Sequence, residues 1–256
     1  MISIEELKRI AKLKGIRNLG YAEKDYLIEI ALLSISRNTK DELVFKGGTC
    51  LYKFHKLDRF SEDIDFTAKK EIDVDGLLKK ITDDLASFGI EAHVKDKKKA
   101  FNSVMITIKA KGHLYNGDAK TFASIGVDIN LKSSVDLEPV LAKYSPLYTD
   151  IPSFSLLVMR EEEILAEKIR AIMSRTKARD VYDLWFLLKK GVKFDIGLVK
   201  KKLAYYKQEW NLEEFKKHIN LKEGVWLSEL KPLIDNVPEF REARDFILSE
   251  ISKKKK

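Results

Sequence analysis

Apolar positions recur at helical spacing over the first 36 residues. Ile4, Leu7, Ile10 and Ala11 fall on one face of a short helix, which the Ser3–Glu6 capping box starts and Gly15 ends. A second helix is predicted over 22–36, with Tyr26, Leu27, Ile30, Ala31, Leu32 and Ile35 inward. The period then changes. Residues 43–45 form a short apolar strand that runs into Gly47-Gly48-Thr49, and a short helix follows over 49–55. Asp63-Ile64-Asp65-Phe66 alternates polar and apolar, as a strand does. Helical spacing returns over 74–88.

The middle of the chain reads as β. Residues 101–115 are rich in Val, Ile and Thr, Asn116-Gly117 signals a hairpin turn, and 119–131 returns as the partner strand. Lys95, Lys97, Lys98 and Lys99 read as a turn or loop. From about residue 160 the pattern is helical, over 161–177, 179–190, 197–206, 212–219, 225–233 and 238–251. The expected fold is α+β: a mixed-sheet domain with N-terminal helices over 1–158, then an all-helical domain over 159–256.

Composition narrows the function. With 45% hydrophobic residues in 256, the chain can build a substantial core without covalent or metal staples. Its single cysteine, Cys50, excludes a disulfide framework and a cysteine-based zinc site. No apolar run is long enough to span a membrane, and the first residues mix acids and bases, so neither a membrane partner nor a leader is expected and the compartment is the cytoplasm. A net charge of +8 permits a polyanionic partner without requiring one.

Chemistry concentrates around the D-x-D strand. Residues i and i+2 of a strand share a face, so Asp63 and Asp65 converge in front of the sheet while Ile64 and Phe66 pack behind. Two close carboxylates repel, and a hard divalent cation removes that penalty. The same pattern also describes surface acids on a solvated strand. Upstream, Gly47 and Gly48 stand between a strand and a helix, where glycines let backbone N–H groups approach a phosphate and a helix N-terminus adds its positive dipole end. Arg59 and Ser61 lie between the two elements. In 124–131, Val127, Ile129 and Leu131 share one face and Asp128 falls on the other, so Asp128 is either solvated or a third metal carboxylate.

A second cluster lies after the domain boundary. Ile164, Leu165, Ile169, Ile172 and Met173 form an apolar stripe with Lys168 beside it. That lysine either snorkels past the core or reaches into a cleft. Asp180 is an N-cap or first-turn acid of the next helix, and Asp183 lies one turn on. These residues are a cap and a surface salt bridge, or a Lys and an Asp that face the carboxylates.

Taken together, Lys46-Gly47-Gly48-Thr49, the run Arg59-Phe60-Ser61-Glu62-Asp63-Ile64-Asp65-Phe66, and Lys168 followed by Arg179-Asp180-Val181-Tyr182-Asp183-Leu184 resemble the AbiEii/AbiGii toxin-like nucleotidyltransferases of the DNA polymerase β-type superfamily. The resemblance covers roughly residues 20–190. It implies a nucleotidyltransferase core that moves a nucleoside monophosphate from an NTP with Mg²⁺, or Mn²⁺ in its place, and releases pyrophosphate. Carried over by position, Gly47, Gly48, Thr49, Arg59 and Ser61 would lie at the nucleotide. Asp63 and Asp65 would hold metal, with Asp128 matching a third metal carboxylate. Lys168 would contact the nucleotide phosphates, and Asp183 would be a further catalytic acid. The family also implies a tRNA or other RNA acceptor and a cognate antitoxin protein. A protein hydroxyl as acceptor, and a non-catalytic nucleic-acid-binding module, are the alternatives.

One basic surface suits an RNA partner. Lys189, Lys190, Lys193, Lys200, Lys201 and Lys202 cluster ahead of Tyr205, Tyr206 and Trp210, offering charge for phosphates and rings for bases. A solvated helix face over core aromatics gives the same pattern. Lys253–Lys256 reads as a frayed tail.

Overall fold

Side-chain caps start the first helices of the computed structural model, which describes residues 1–100 and 102–253. Ser3 accepts from the Glu6 N–H ahead of α1 (Ile4–Leu13), and Asn18 accepts from the Tyr21 N–H ahead of α2 (Leu19–Asn38). Phe101, expected to open a strand, and 254–256 of the expected tail lie outside the described residues. The chain divides into two compact units. The first comprises 1–56, 60–135 and 139–158; the second comprises 57–59, 136–138 and 159–256.

The first unit is built on a mixed sheet of order β3-β4-β5-β2-β1-β7-β6. Its strands are β1 (Leu43–Lys46), β2 (Asp63–Ala68), β3 (Ala92–Lys99), β4 (Ser103–Ala110), β5 (Ala123–Asn130), β6 (Val140–Tyr144) and β7 (Phe154–Val158). Helix α3 (Gly47–Phe54) connects β1 to its antiparallel neighbour β2, and α4 (Val74–Ser87) follows. Strands β2 and β5 run parallel. Ile64, Phe66, Ile125, Val127 and Ile129 are buried on one sheet face, where Phe45 stacks on Phe66 at 5.0 Å.

Helix α2 is apolar nearly all round and buried, yet it carries Asp25 and Glu29. Two lysines offset them. Lys14 and Lys53 each reach both carboxylates at 2.5 Å, and Tyr144 of β6 donates to Glu29 at 2.6 Å. Burial alone would raise the Asp25 pKa, but the two ammonium groups hold it below the usual range. Because Lys53 belongs to α3, this buried network also fixes the helix that begins at Gly47.

Three strands depart from the expectation. The lysine-rich stretch at 95–99 is not a loop but part of β3, an edge strand that pairs with β4 along its length around a bulge at Val94/Asp96. Edge strands tolerate lysine because one side faces water. Strands β6 and β7 carry no clear alternation of apolar residues in the sequence, and they pair from Val140↔Val158 to Tyr144↔Phe154. Asn116-Gly117 turns inside a longer connection between Ala110 and Ala123, with Gly117 at φ +99°.

The second unit is helical among the described residues: α5 (Glu161–Ser174), α6 (Ala178–Lys189), α7 (Ile196–Ala204), α8 (Leu212–Asn220), α9 (Trp226–Leu230) and α10 (Phe240–Lys253). Helices α6, α7 and α8 pack on α5, and α9 and α10 on α6. Ile164, Leu165, Ile169 and Ile172 form the buried stripe of α5. Trp226 stacks edgewise on Phe240 and donates its indole N–H to the Pro238 carbonyl at 2.8 Å. No described helix is long and apolar enough to cross a membrane.

Candidate active site

Strand register gathers the carboxylates. Asp65 on β2 pairs across the sheet with Lys46 on β1 and with Asp128 on β5, and the row continues to Met105 on β4 and Lys98 on β3. Register partners share a face. Lys46, Asp65 and Asp128 therefore stand in line on the face opposite Phe45, Phe66 and Ile129. Asp63 lies one step along β2, opposite Gly126. Glycine there makes room for it: a Cβ on Gly126 would stand 2.6 Å from Asp63 Oδ1. Asp63 is exposed and Asp65 half-buried.

The glycine loop is fitted to this row. Gly47 holds φ +75°, a conformation that L side chains rarely adopt. Gly48 is buried in the first turn of α3 with φ outside that region, so the conformational demand falls on Gly47. Thr49 is buried, and its hydroxyl lies 3.0 Å from Ser61 Oγ and bonds the Asp63 carbonyl. Thr49 and Ser61, expected at the nucleotide, tie α3 to the start of β2 and hold Asp63 in register.

A second constellation belongs to the helical unit. Arg59 grips Asp183 with two parallel bonds of 2.7 Å, from Nε to Oδ1 and from Nη2 to Oδ2. Lys168 Nζ lies 2.7 Å from Asp183 Oδ2 and 2.9 Å from Asp180 Oδ1. Arg175 closes the series with bonds of 2.7 and 2.9 Å to Asp180. Burial works against the charges of Asp180, Asp183, Lys168 and Arg59, and the neighbours outweigh it. The carboxyls of Asp180 and Asp183 lie below their usual range, and Lys168 and Arg59 lie above theirs.

Lys168, Arg59 and Asp180 are each enclosed by opposite charge. Lys168 does not extend past the apolar stripe; it is 6% exposed and clasped by two acids. Arg59, expected at the nucleotide, is held by Asp183 through two of its nitrogens. Of the two alternatives for Asp180, the structure gives the first-turn acid, since α6 starts after Lys177, and the carboxylate also serves Lys168 and Arg175. The reason is common to all three: a buried charge needs an opposite charge, and helix packing supplies it.

The basic cluster changes as well. Lys202 is buried against Glu163 at 2.5 Å and Asp136 at 2.9 Å, and Lys190 pairs with Glu161 at 2.5 Å. Trp210 packs on Phe194 and Phe215, while Tyr206 lies under the Arg170 guanidinium. Lys46 was missed as a site residue, although strand alternation from Phe45 already put it on the Asp65 face.

A hard cation suits the oxygen donors of Asp63 and Asp65, which prefer such ions to softer metals. Asp128 aligns with Asp65, but among the described residues no three His, Cys, Asp or Glu side chains make a ready metal cage. The protein would supply part of a coordination shell, as is usual for Mg²⁺ bound together with substrate phosphates.

Solved structures of other proteins share the fold. MenT4, a nucleotidyltransferase toxin from Mycobacterium tuberculosis H37Rv, superposes with a TM-score of 0.67 at 18% identity, covering 98% of this chain and 89% of that one. JHP933 from Helicobacter pylori gives 0.61 at 21% identity, covering 91% and 90%. No curated protein matches the sequence. The family model for the nucleotidyl transferase AbiEii toxin of type IV toxin–antitoxin systems matches residues 31–248. That span takes in the glycine loop, the Asp63–Asp65 strand and the Arg59–Lys168–Asp183 clasp, and the chain belongs to the AbiEii nucleotidyltransferase toxin family.

Proposed function

We propose that this nucleotidyltransferase moves a nucleoside monophosphate from an NTP to an RNA hydroxyl, with tRNA as the foremost acceptor, and that a cognate antitoxin protein opposes it. The observation that carries this reading is the row of Lys46, Asp65 and Asp128 with Asp63 one step along, beside the positive-φ Gly47. The acceptor hydroxyl gives up its proton to solvent as its oxygen bonds to the α-phosphorus, the bond from that phosphorus to the bridging oxygen breaks, and pyrophosphate leaves with the bonding pair. Asp63 and Asp65 would hold Mg²⁺ or Mn²⁺, which offsets charge on the phosphates. Asp128 supports that pair from the neighbouring strand, and Lys46 balances its charge. Gly47 and Gly48 let the backbone N–H groups at the start of α3 approach the triphosphate.

Lys168 and Asp183 enter as parts of one ion-paired array that fixes Arg59. An RNA acceptor is favoured by the exposed lysines of β3 beside the carboxylate face. The test is incubation with each radiolabelled NTP, Mg²⁺ and total RNA. Label is expected in RNA from a preferred NTP. Label confined to protein would overturn the RNA acceptor, and no transfer from any NTP would overturn the catalytic reading.

A further inference from the structure

Beside the carboxylate face, the first unit contains a cavity of about 400 Å³ that the catalytic groups do not fill. That volume suits a small organic ligand. Two rings line it, Tyr21 and Phe122. Each is braced from behind. Tyr21 stacks on Phe60 with centroids 4.9 Å apart, and Phe122 packs on Tyr115 at 4.7 Å and on His93 at 5.6 Å. Its polar wall holds Glu23, Ser124 and the Lys24–Glu62 ion pair, 2.8 Å between charged atoms. Braced rings with a few donors and acceptors are the chemistry that recognises a flat heterocycle, with faces for stacking and an edge for hydrogen bonds.

Position ties the cavity to the reaction. Glu62 directly precedes Asp63. Ser124 lies on the Asp63 face of β5, two residues from Gly126, so the cavity wall is roughly 7 Å along the strand from the Asp63 row. Asp63 leans toward that strand, since its Oδ1 occupies the space above Gly126. A nucleoside whose phosphate or hydroxyl sits at Asp63 has its base within reach of the two rings. The wall is also built to hold shape: the Glu23 carboxylate accepts the Leu114 N–H at 2.7 Å and anchors the loop through which Leu114 lines the cavity.

We propose that this cavity is a nucleobase pocket, which receives the base of the nucleotide reacting at Asp63 and Asp65. The proposal rests on the nucleotidyl-transfer reading for its location, not for its binding chemistry. Base stacking on a ring survives without metal or turnover, so the pocket is testable by itself. Binding of adenosine, guanosine, cytidine and uridine monophosphates to the intact protein, without divalent metal, is followed by ligand-observed NMR. Ser124→Trp fills the cavity, and Phe122→Ala removes one stacking face. Thermal unfolding verifies that each variant is folded, and Phe122→Ala carries the test if Ser124→Trp does not fold.

At least one monophosphate should bind the wild type, and Phe122→Ala should weaken it roughly tenfold, within the range for losing one base–ring stack. Steady-state kinetics then separate the two sources of the base. A raised KM for NTP with an unchanged acceptor KM assigns the pocket to the incoming nucleotide; the reverse assigns it to the end of the RNA acceptor. No binding to the wild type, or equal affinity in a folded Phe122→Ala variant, overturns the pocket. Monophosphate binding without any transfer activity would sustain the pocket while overturning the catalytic reading.

Discussion

Asp65 occupies the space that a side chain on Gly47 would need. A Cβ built on Gly47 would stand 2.9 Å from both Cβ and Cγ of Asp65, closer than real Cβ contacts come. Glycine at 47 therefore meets two demands at once: a backbone at φ +75°, and an acid pressed against the start of α3. Loop and carboxylate act as one device.

Gly47→Ala should therefore damage activity more than stability. The left-handed backbone costs an L residue roughly 1–2 kcal/mol. Relieving the overlap moves Asp65, and a displacement near 1 Å at a reacting centre can lower turnover about 10²-fold. Melting temperature and kcat measured on the same preparation provide the comparison. Wild-type turnover in a folded Gly47→Ala protein would mean that Asp65 need not stand where it does.

Asp63→Asn and Asp65→Asn should each abolish metal-dependent transfer. The metal's contribution to such a reaction is several kcal/mol, so a loss on the order of 10³-fold is expected. Folding should survive, because Asp63 is exposed and removing one of two repelling acids relieves strain. Titration of activity with Mg²⁺ and with a chelator, beside thermal unfolding, checks both parts. Retained activity in either variant would remove that acid from the metal site.

Local order was legible where a single segment determined it. The D-x-D strand announced itself because alternation needs only four residues, and register then aligned Asp128 with Asp65. The strand at 95–99 was illegible because its lysines deny strand propensity, and only pairing with β4 makes it a strand. Lys168 illustrates the same limit at a site. Helical spacing reveals its neighbours on α5, but not Asp180 and Asp183 on α6. Asp183 in turn meets Arg59 across 124 residues of chain, which no periodicity encodes.

The lysine run at 200–202 separates into two roles. Lys202→Ala removes the cation that faces the fully buried Glu163, and stranding a buried charge costs about 3–5 kcal/mol. Lys200→Ala with Lys201→Ala should cost far less, since surface substitutions stay within about 0.5 kcal/mol each. Urea unfolding of the single and double variants resolves the difference. Equal destabilisation would show that the Lys202 pairs contribute little to folding.

RNA affinity should depend on the β3 edge. Lys95, Lys98 and Lys99 are exposed on that strand. Replacing them with Gln should weaken RNA binding and flatten its salt dependence, by roughly 0.7 in log–log slope for each single-strand phosphate left without its lysine. NTP KM should stay at the wild-type value. An unchanged slope would remove this edge from the RNA path.

Acid should act on the helical unit through Asp180 and Asp183. Both carboxyls are held below their usual range: burial opposes this, and Lys168 with Arg59 or Arg175 outweighs it. A depressed folded-state pKa adds stability above the unfolded value, near 3.9, and that stability is lost as pH falls through the folded value. The partner cations are raised, so their contribution is full below their unfolded values and disappears only at strongly alkaline pH. Stability should therefore hold from neutral pH to about 5 and fall below about 4. Lys168→Met removes one of the two cations on Asp183 and lets its pKa move back toward the ordinary value. That variant should be less stable at pH 7 and lose less on acidification, giving a shallower slope of unfolding free energy between pH 5 and 2. Urea unfolding at stepped pH measures both slopes. Parallel wild-type and Lys168→Met profiles would mean that Lys168 does not hold these carboxylates in their charged form.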